Sequence, residues 1–192
     1  MTFHGPVGIS KWNAFNVRWV KELLFEGATP TLANDRTFDV DETIVQREHR
    51  TRAITPGTAR GRLLGGNLTV FTAILGSDYV PSFADRILFF EDVDEAPYRI
   101  DRMITQLKLA GVLRQARAFV WGTCTDCDPG DKNYGTLTIE EVLDDHVKPL
   151  DVPAWHGAQF GHIDAQFTIP VGIEAEVDAQ KGTIRLLEAA VA

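Results

Sequence analysis

Apolar residues recur with helical spacing in two long stretches of the chain. The first stretch ends near Gly27, where a helix C-cap would lie, and it predicts an amphipathic helix over residues 15–24. The second begins after Pro97, which suits the first turn of a helix, and it ends at Gly111. The apolar positions are Phe15, Trp19, Val20, Leu23 and Leu24 in the first stretch and Ile100, Met103, Ile104, Leu107 and Ala110 in the second.

Local signals predict two shorter helices. Gly65-Gly66-Asn67-Leu68 has the composition of a turn, and an apolar helix is expected to follow it over residues 69–75. Thr138 with Glu141 three positions later forms a capping box, which predicts that another helix begins there.

Other apolar residues form continuous runs or alternate with polar ones, as they do in strands. Continuous runs are typical of strands that are buried in a covered sheet. The predicted strands lie on both sides of Pro56-Gly57, over residues 86–91, 118–121 and 153–156, and in a terminal hairpin over residues 173–188 with its turn at 179–182. Because strands alternate with helices, we predict an α/β fold, a mixed sheet with flanking helices and a terminal β-hairpin.

A polar stretch near the start of the chain suggests a domain boundary. Residues 28–50 are polar and weakly periodic, so we interpret them as a linker or an irregular crossing. The single helix before them cannot bury its apolar face alone. We therefore expect residues 1–45 to be the tail of a domain whose larger part lies upstream, residues 46–60 to be linker and domain start, and residues 61–192 to be a second domain.

This division has a consequence for association. The apolar face formed by Phe15, Trp19 and Leu24 would be exposed to water, and exposed apolar patches promote contacts between molecules. The division therefore predicts self-association, with a homodimer as the expected form.

The composition is that of a folded, acidic protein. The 192 residues are 44% hydrophobic, and 19 Lys and Arg stand against 27 Asp and Glu, a formal charge of −8. These values argue against disorder and against a nucleic-acid partner, because phosphate binding needs clustered cations. No apolar run reaches the ~18 residues of a membrane span, and the first residues lack a signal-peptide pattern. We expect no membrane association and a cytoplasmic location.

Acids and histidines supply the first candidate chemistry. The acidic run at residues 91–95 follows a predicted strand, where α/β proteins collect functional groups; its carboxylates either orient a histidine or cap the next helix. His156 and His162 flank a loop with glycines at 157 and 161. A histidine on such a loop is a candidate general base, and a packing role is equally open.

Cysteines and serines supply less. Cys124-Thr-Asp-Cys127 is a weak zinc signal without a second pair, so we expect two reduced cysteines in a surface loop, with a zinc site as the alternative. Residues 126–135 are rich in acids and glycine, but their spacing does not fit a calcium loop. None of the three serines lies in a Gly-x-Ser-x-Gly elbow, and no nucleotide-binding fingerprint is present, so no cofactor or metal is predicted. The serines are Ser10, Ser77 and Ser82.

An ordered set of motifs resembles the LD-carboxypeptidases, a family that also includes the microcin-immunity peptidases. In chain order the motifs are Gly65-Gly66-Asn67-Leu68, Ile87-Leu-Phe-Phe-Glu91-Asp92, Ala96-Pro-Tyr-Arg-Ile-Asp-Arg102, Gly161-His162 and Pro170-Val-Gly172. The resemblance covers residues 51–188, and Phe3-His4-Gly5-Pro6 also looks like a family segment.

The resemblance implies a serine peptidase with a Ser-Glu-His triad. The family acid follows an apolar strand, which matches Glu91, and Glu95 is a rival one turn further along. The family histidine matches His162. The family serine lies in an N-terminal flavodoxin-like domain, just before the segment that resembles Phe3-His4-Gly5-Pro6, so this chain is expected to start after its nucleophile.

The resemblance also implies a substrate. Family members cleave the L,D amide bond to the terminal D-alanine of murein tetrapeptide in cytoplasmic peptidoglycan recycling. A carboxylate-bearing substrate calls for a cation, and Arg60, Arg62 and Arg102 are candidates, each with a structural ion pair as the alternative. The motif residues Gly65, Gly66 and Asn67 are assigned to substrate binding with Arg102.

Two other functions remain open at this stage. One is a microcin-immunity-type amidase acting on peptidyl nucleotides, which an aromatic platform such as Trp121 or Trp155 would favour. The other is a catalytically inert domain that acts as an interaction module.

Overall fold

A single large sheet organises the chain, as seen in a computed structural model that describes residues 1–35, 50–127 and 137–191. The strands are β1 (Thr2–His4), β2 (Thr31–Ala33), β3 (Arg52–Thr55), β4 (Thr58–Asn67), β5 (Arg86–Val93), β6 (Ala116–Thr125), β7 (Ala154–His156), β8 (Ile169–Val171), β9 (Glu174–Asp178) and β10 (Thr183–Leu186). The helices are α1 (Ala14–Val20), α2 (Leu68–Ala73), α3 (Pro97–Leu109) and α4 (Ile139–His146).

The sheet is mixed, as predicted. Its strand order is β2-β10-β9-β4-β5-β6-β7-β3, and a separate pair joins β1 to β8. The central strands β4 to β7 run parallel, whereas β9, β10, β2 and β3 pair antiparallel. The α/β prediction, including the hairpin of β9 and β10, is confirmed.

Both faces of the central strands are covered, which explains their continuous apolar runs. Side chains alternate along β5: Ile87 and Phe89 join one apolar cluster, and Leu88 and Phe90 join the other. The second cluster is completed by α2, α3 and α4. The alternation decides which face receives each residue after Phe90.

The helix predictions are confirmed, with shifted boundaries. Pro97 begins α3, and Thr138 caps α4 through the predicted capping box with Glu141. The expected turn at Gly65-Gly66-Asn67 is wrong, because these residues end β4. Asn67 then caps α2 by accepting a hydrogen bond from the Val70 N–H.

The prediction that the first helix presents its apolar face to water is wrong. Trp19 is 2% exposed and Leu23 is fully buried, because α1 and the helical turns after it pack on the core of the sheet. The rings of Phe15 and Trp19 contact Phe167 with centroids 5.9 Å apart in each case. An exposed apolar face on this helix therefore no longer supports self-association, which stays an untested prediction.

The polar stretch is also not wholly irregular. Residues 31–33 form β2, which pairs antiparallel with β10. The predicted boundary between residues 45 and 46 lies outside the described residues. Within the described ranges, no helix combines the length and the apolar character that crossing a membrane requires.

Candidate active site

The acidic run divides between the two faces of the sheet at the end of β5. Asp92 points toward α2, where it accepts hydrogen bonds from the Asn67 amide, the Thr69 N–H and the Thr69 hydroxyl. Asp92 therefore fixes the start of α2, the helix before this run. The predicted alternative, that an acid of the run caps the next helix, is wrong, because α3 has no side-chain cap at Ala96 and no acid in its first turn. Glu91, one residue earlier, points to the opposite face.

Glu91 forms a hydrogen bond with His162 across 71 positions of sequence. The distance between Glu91 Oε2 and His162 Nδ1 is 2.9 Å; the glutamate side chain is fully buried and the histidine is 52% exposed. The chain reaches this geometry at Gly161, whose φ of +123° favours glycine. The Thr125 hydroxyl donates to the His162 carbonyl at 2.9 Å, which anchors the loop to the end of β6.

Burial disfavours the charged form of the Glu91 carboxyl group. Loss of solvent raises its pKa above the usual 4.5, and the hydrogen bond and charge of His162 oppose that rise. A buried carboxyl group and a half-exposed imidazole are thus paired at the carboxyl ends of the parallel strands, where α/β proteins bind ligands.

The pair leaves one nitrogen of His162 open. When Nδ1–H donates to Glu91, Nε2 carries a lone pair and can accept a proton. His162 lines a cleft of about 550 Å³ that also contains His4, Ser10, Lys11 and Asp164. Lys11 and Asp164 form an exposed ion pair there. The arrangement can remove a proton from a hydroxyl group placed in the cleft.

His4 is a site residue to which the sequence alone assigns no role. It ends β1, and its Nε2 lies 3.8 Å from the second carboxylate oxygen of Glu91. The one signal for it in the sequence is the resemblance of Phe3-His4-Gly5-Pro6 to a segment of the family. Nothing local indicates which acid a histidine at the end of a three-residue strand will meet.

Two other candidates lie outside this site. Glu95 forms an ion pair with Arg99 and makes no hydrogen bond to His162, so it does not compete with Glu91 for the imidazole. His156 accepts a hydrogen bond from Arg52 Nε at 2.9 Å. The two histidines of the glycine-containing loop therefore do not act together.

The arginine candidates do not line the cleft of His162. Arg62 pairs in register with Arg86 at the start of β5, whereas Asn67 pairs with Glu91, so Arg60 and Arg62 lie at the opposite end of the strands. There they form ion pairs with Glu176 and Glu188, the structural alternative predicted for them. Arg102 is exposed on α3, and its substrate role stays a prediction.

The residues of the Gly65-Gly66-Asn67 motif make close contacts within the protein. A Cβ on Gly65 would lie 1.7 Å from the Phe89 carbonyl oxygen, so only glycine fits between β4 and β5. A Cβ on Gly66, where φ is +144°, would lie 3.7 Å from His4 Nδ1. Asn67 is held by Asp92 and α2. A substrate contact from Gly65, Gly66 or Asn67 stays a prediction.

The expectation of two reduced cysteines in a surface loop is wrong. Cys124 and Cys127 form a disulfide, and Cys127 is 9% exposed. Asp126 has φ +54°, which turns the chain back so that the two Cα atoms lie 5.5 Å apart, within disulfide range. A disulfide offers no thiolate to zinc, and the described residues contain no cluster suited to a metal. Of the stretch 126–135 whose spacing does not fit a calcium loop, residues 128–135 lie outside the described residues.

The aromatic platform considered for a nucleotide substrate is not present at the two tryptophans named for it. Trp121 is 1% exposed and Trp155 is fully buried, because both pack in the core of the sheet. Neither ring lines the cleft of His162.

Comparison with protein families gives one match that covers most of the chain. Residues 60–177 match the model of the LD-carboxypeptidase C-terminal domain. A putative carboxypeptidase of Synechocystis is 43% identical over 68% of this chain and 43% of its own length. The probable murein peptide carboxypeptidase of Bacillus subtilis is 31% identical over all of this chain and 57% of its own length. The chain thus spans about half the length of the curated relatives it matches.

Solved structures show the same fold. Muramoyltetrapeptide carboxypeptidase from Oxalobacter formigenes superposes with a TM-score of 0.73 and 26% identity, covering 96% of this chain and 59% of that one. The microcin C7 self-immunity protein MccF superposes with a TM-score of 0.79 and 23% identity, covering all of this chain and 62% of MccF.

Proposed function

The chain belongs to the LD-carboxypeptidase family, and from that premise we propose that Glu91 is the orienting carboxylate and His162 the general base of a serine-type LD-carboxypeptidase. The proposed reaction is cleavage of the L,D amide bond to the terminal D-alanine of murein tetrapeptide, in cytoplasmic peptidoglycan recycling. The observation that carries the proposal is the 2.9 Å hydrogen bond that Nδ1 of His162 makes to the buried Glu91, which leaves Nε2 open to the cleft.

The geometry suits base catalysis on a hydroxyl group. Glu91 holds the imidazole in the tautomer with Nδ1 protonated, so that Nε2 takes the serine proton while the serine oxygen attacks the amide carbon. His162 then returns that proton to the D-alanine nitrogen, and D-alanine leaves with its new amine. A water molecule then attacks the acyl carbon of the acyl-serine ester while His162 takes one of its protons. The ester bond to the serine oxygen breaks, and His162 returns the proton to that oxygen.

We assign the nucleophile to a serine outside these 192 residues. Ser77 donates a hydrogen bond to the Ile74 carbonyl in the turns after α2, and Ser82 precedes β5, at the end of the sheet opposite Glu91. Ser10 lines the cleft, but its hydroxyl accepts the Val7 N–H at 2.9 Å and makes no hydrogen bond to His162. Ser10 is therefore the control within the chain.

Lys11 is the cation best situated for the substrate carboxylate. It lines the same cleft as His162, and its present partner, Asp164, is 67% exposed. Because exposed ion pairs are weak, a substrate carboxylate can replace Asp164 at little cost.

The test is D-alanine release from murein tetrapeptide. We expect no release by the chain alone and release after addition of the N-terminal part of the Bacillus subtilis relative. His162→Ala should abolish that release and Ser10→Ala should leave it unchanged. Release that survives His162→Ala would refute the proposal, and release by the chain alone that Ser10→Ala abolishes would move the nucleophile to Ser10. Failure of the two parts to associate, measured by sedimentation, calls for the same variants in a covalently joined protein.

A further inference from the structure

Two buried polar atoms face each other without a hydrogen bond behind the pair of Glu91 and His162. They are Nε2 of His4 and Oε1 of Glu91, which lie 3.8 Å apart. Within the described ranges neither atom has another hydrogen-bond partner. A buried polar atom without a partner costs about 1–3 kcal/mol, more for a charged group. A movement of about 1 Å gives both atoms a partner of normal length.

The ring of His4 is held where that movement is short. β1 is anchored by its pairing with β8, in which His4 lies opposite Ile169. The ring packs against Phe89 and Phe160, with centroids 6.0 Å and 5.9 Å away, and these two rings also contact each other. On its other side the backbone of Gly66 leaves room for the ring, since a Cβ there would lie 3.7 Å from Nδ1. The pairing of β1 with β8 and the contacts with these two rings hold His4 in the neighbourhood of Glu91.

We propose that His4 is a positioning residue for Glu91: its neutral ring donates Nε2–H to Oε1, so that Oε2 stays directed at His162. The catalytic consequence rests on the proposed function, whereas the hydrogen bond itself does not. Glu91 would then be held on both oxygens, by the partly buried His4 on one and by the half-exposed His162 on the other.

The ionisation of the surrounding groups fits this role. Burial, reinforced by the charge of His162, lowers the pKa of His4 to about 4. His4 is therefore neutral near neutral pH. The ionisable groups facing His4 are Glu91 on β5 and His162 on the loop. The pKa of Glu91 is also raised by the charge of Asp92 and lowered by the side chain of Asn67. Lys11 and Asp164 line the same cleft and pair with each other. A neutral donor stabilises the Glu91 carboxylate without adding a second positive charge beside His162.

The decisive measurement is an NMR titration of this chain, which needs no enzyme activity. Ring ¹⁵N shifts of His4 are expected to show the neutral tautomer with Nε2 protonated from pH 5 to 8. The ¹³C carboxyl signal of Glu91 should titrate at higher pH in His4→Phe, which keeps a ring but has no donor. His4→Gln, whose amide nitrogen can occupy the place of Nε2, should restore most of the wild-type midpoint. We expect a shift of about one pH unit, equivalent to tenfold in the ionisation constant.

Two results would overturn the proposal. One is a His4 ring protonated on Nδ1 alone, and this is read from the unmodified chain even if His4→Phe does not fold. The other is an unchanged Glu91 midpoint in folded His4→Phe.

We call this chain together with the added N-terminal part of the Bacillus subtilis relative the assembled peptidase. In it, His4→Phe should also move the acid limb of the pH profile of kcat/KM to higher pH, and His4→Gln should restore the wild-type position. A merely structural role for His4 would lower kcat without moving the limb. If tetrapeptide is not cleaved at all, the proposed function fails, while the NMR result still decides the role of His4.

Discussion

The two ends of the parallel strands are both rich in charge, but they treat it in opposite ways. At the start of the strands, Arg60, Arg62 and Arg117 each form an ion pair with an exposed or partly exposed acid. At the other end, Glu91 is fully buried, with one oxygen bonded to His162 and the other without a hydrogen bond. The first end resembles ordinary protein surface, and the second holds a charge away from water.

The direction of the pKa shifts separates these ends in the same way. Hydrogen bonds from Arg60 and Arg185 lower the pKa of Glu176 at the first end, whereas burial raises the pKa of Glu91 at the second. Burial disfavours the charged form of a carboxyl group, so the rest of the fold must supply the free energy that keeps such a group buried. Groups of this kind concentrate at functional sites. The comparison teaches that the number of charges is uninformative, whereas unfavourable burial marks the candidate site.

The strongest test of this contrast is Glu91→Gln in the assembled peptidase. An amide of the same size keeps the packing, but it no longer holds His162 in the tautomer that accepts a proton. We expect D-alanine release to fall about 10⁴-fold. Glu176→Gln removes a carboxylate from the opposite end and should leave the rate unchanged. Equal losses in the two variants would remove the distinction between the ends.

The sequence allowed prediction of the features that depend on neighbouring residues. The apolar run of β5, the stripe of α3 and the capping box of α4 each reflect contacts within a few positions, and each is found. Glu91 was selected with the help of the family resemblance. The pattern alone leaves the role of this acidic run divided between capping the next helix and orienting a histidine. Glu91 contacts His162, and α3 has no side-chain cap.

The features that the sequence did not reveal depend on distant parts of the chain. The packing of α1 required Phe167, and the environment of Glu91 required His4, 87 positions earlier. The disulfide required the left-handed turn at Asp126, which an aspartate only sometimes adopts. Periodicity carries no information on such pairings, because it records which face is apolar and not what covers it.

The next largest effect is expected from Gly161→Ala. At φ +123° a Cβ would lie 2.8 Å from the Thr123 carbonyl oxygen and 3.0 Å from Glu91 Oε2, so the loop must shift away from the acid. A displacement of about 1 Å at a catalytic pair costs on the order of 10²-fold in rate. Gly172→Ala is the control, since its φ is +90° but no described atom beyond its two chain neighbours would lie within 4 Å of its Cβ. Gly172→Ala should lose stability without a comparable loss of rate, and the opposite pattern would contradict the role of the loop.

Replacing a glutamate by glutamine should change the free energy of unfolding in opposite directions at the two ends of the strands. Because the pKa of Glu91 is raised on folding, the folded chain loses stability as the pH rises from about 4.5 through the folded pKa. Glu91→Gln lacks this loss, so at pH 7.5 we expect it to be more stable than the unmodified chain, by about 1 kcal/mol in urea unfolding. The difference should close near pH 4. Glu176→Gln should instead destabilise at pH 7.5, because the pKa of Glu176 is lowered on folding. If both variants destabilise, burial of Glu91 does not oppose folding.

The smallest effect is expected from Arg60→Gln, which tests whether the first end is only solvated surface. Arg60 and Arg185 donate to different oxygens of Glu176 at 2.7 Å each, so losing one arginine leaves the other in place. Exposed pairs of this kind contribute little, and the melting temperature should fall by about 3 °C or less. The difference should disappear in about 1 M salt, where the screening length is about 3 Å. D-alanine release by the assembled peptidase should not change. A loss of release would mean that substrate extends to the start of the strands, and the boundary drawn between the two ends would then be wrong.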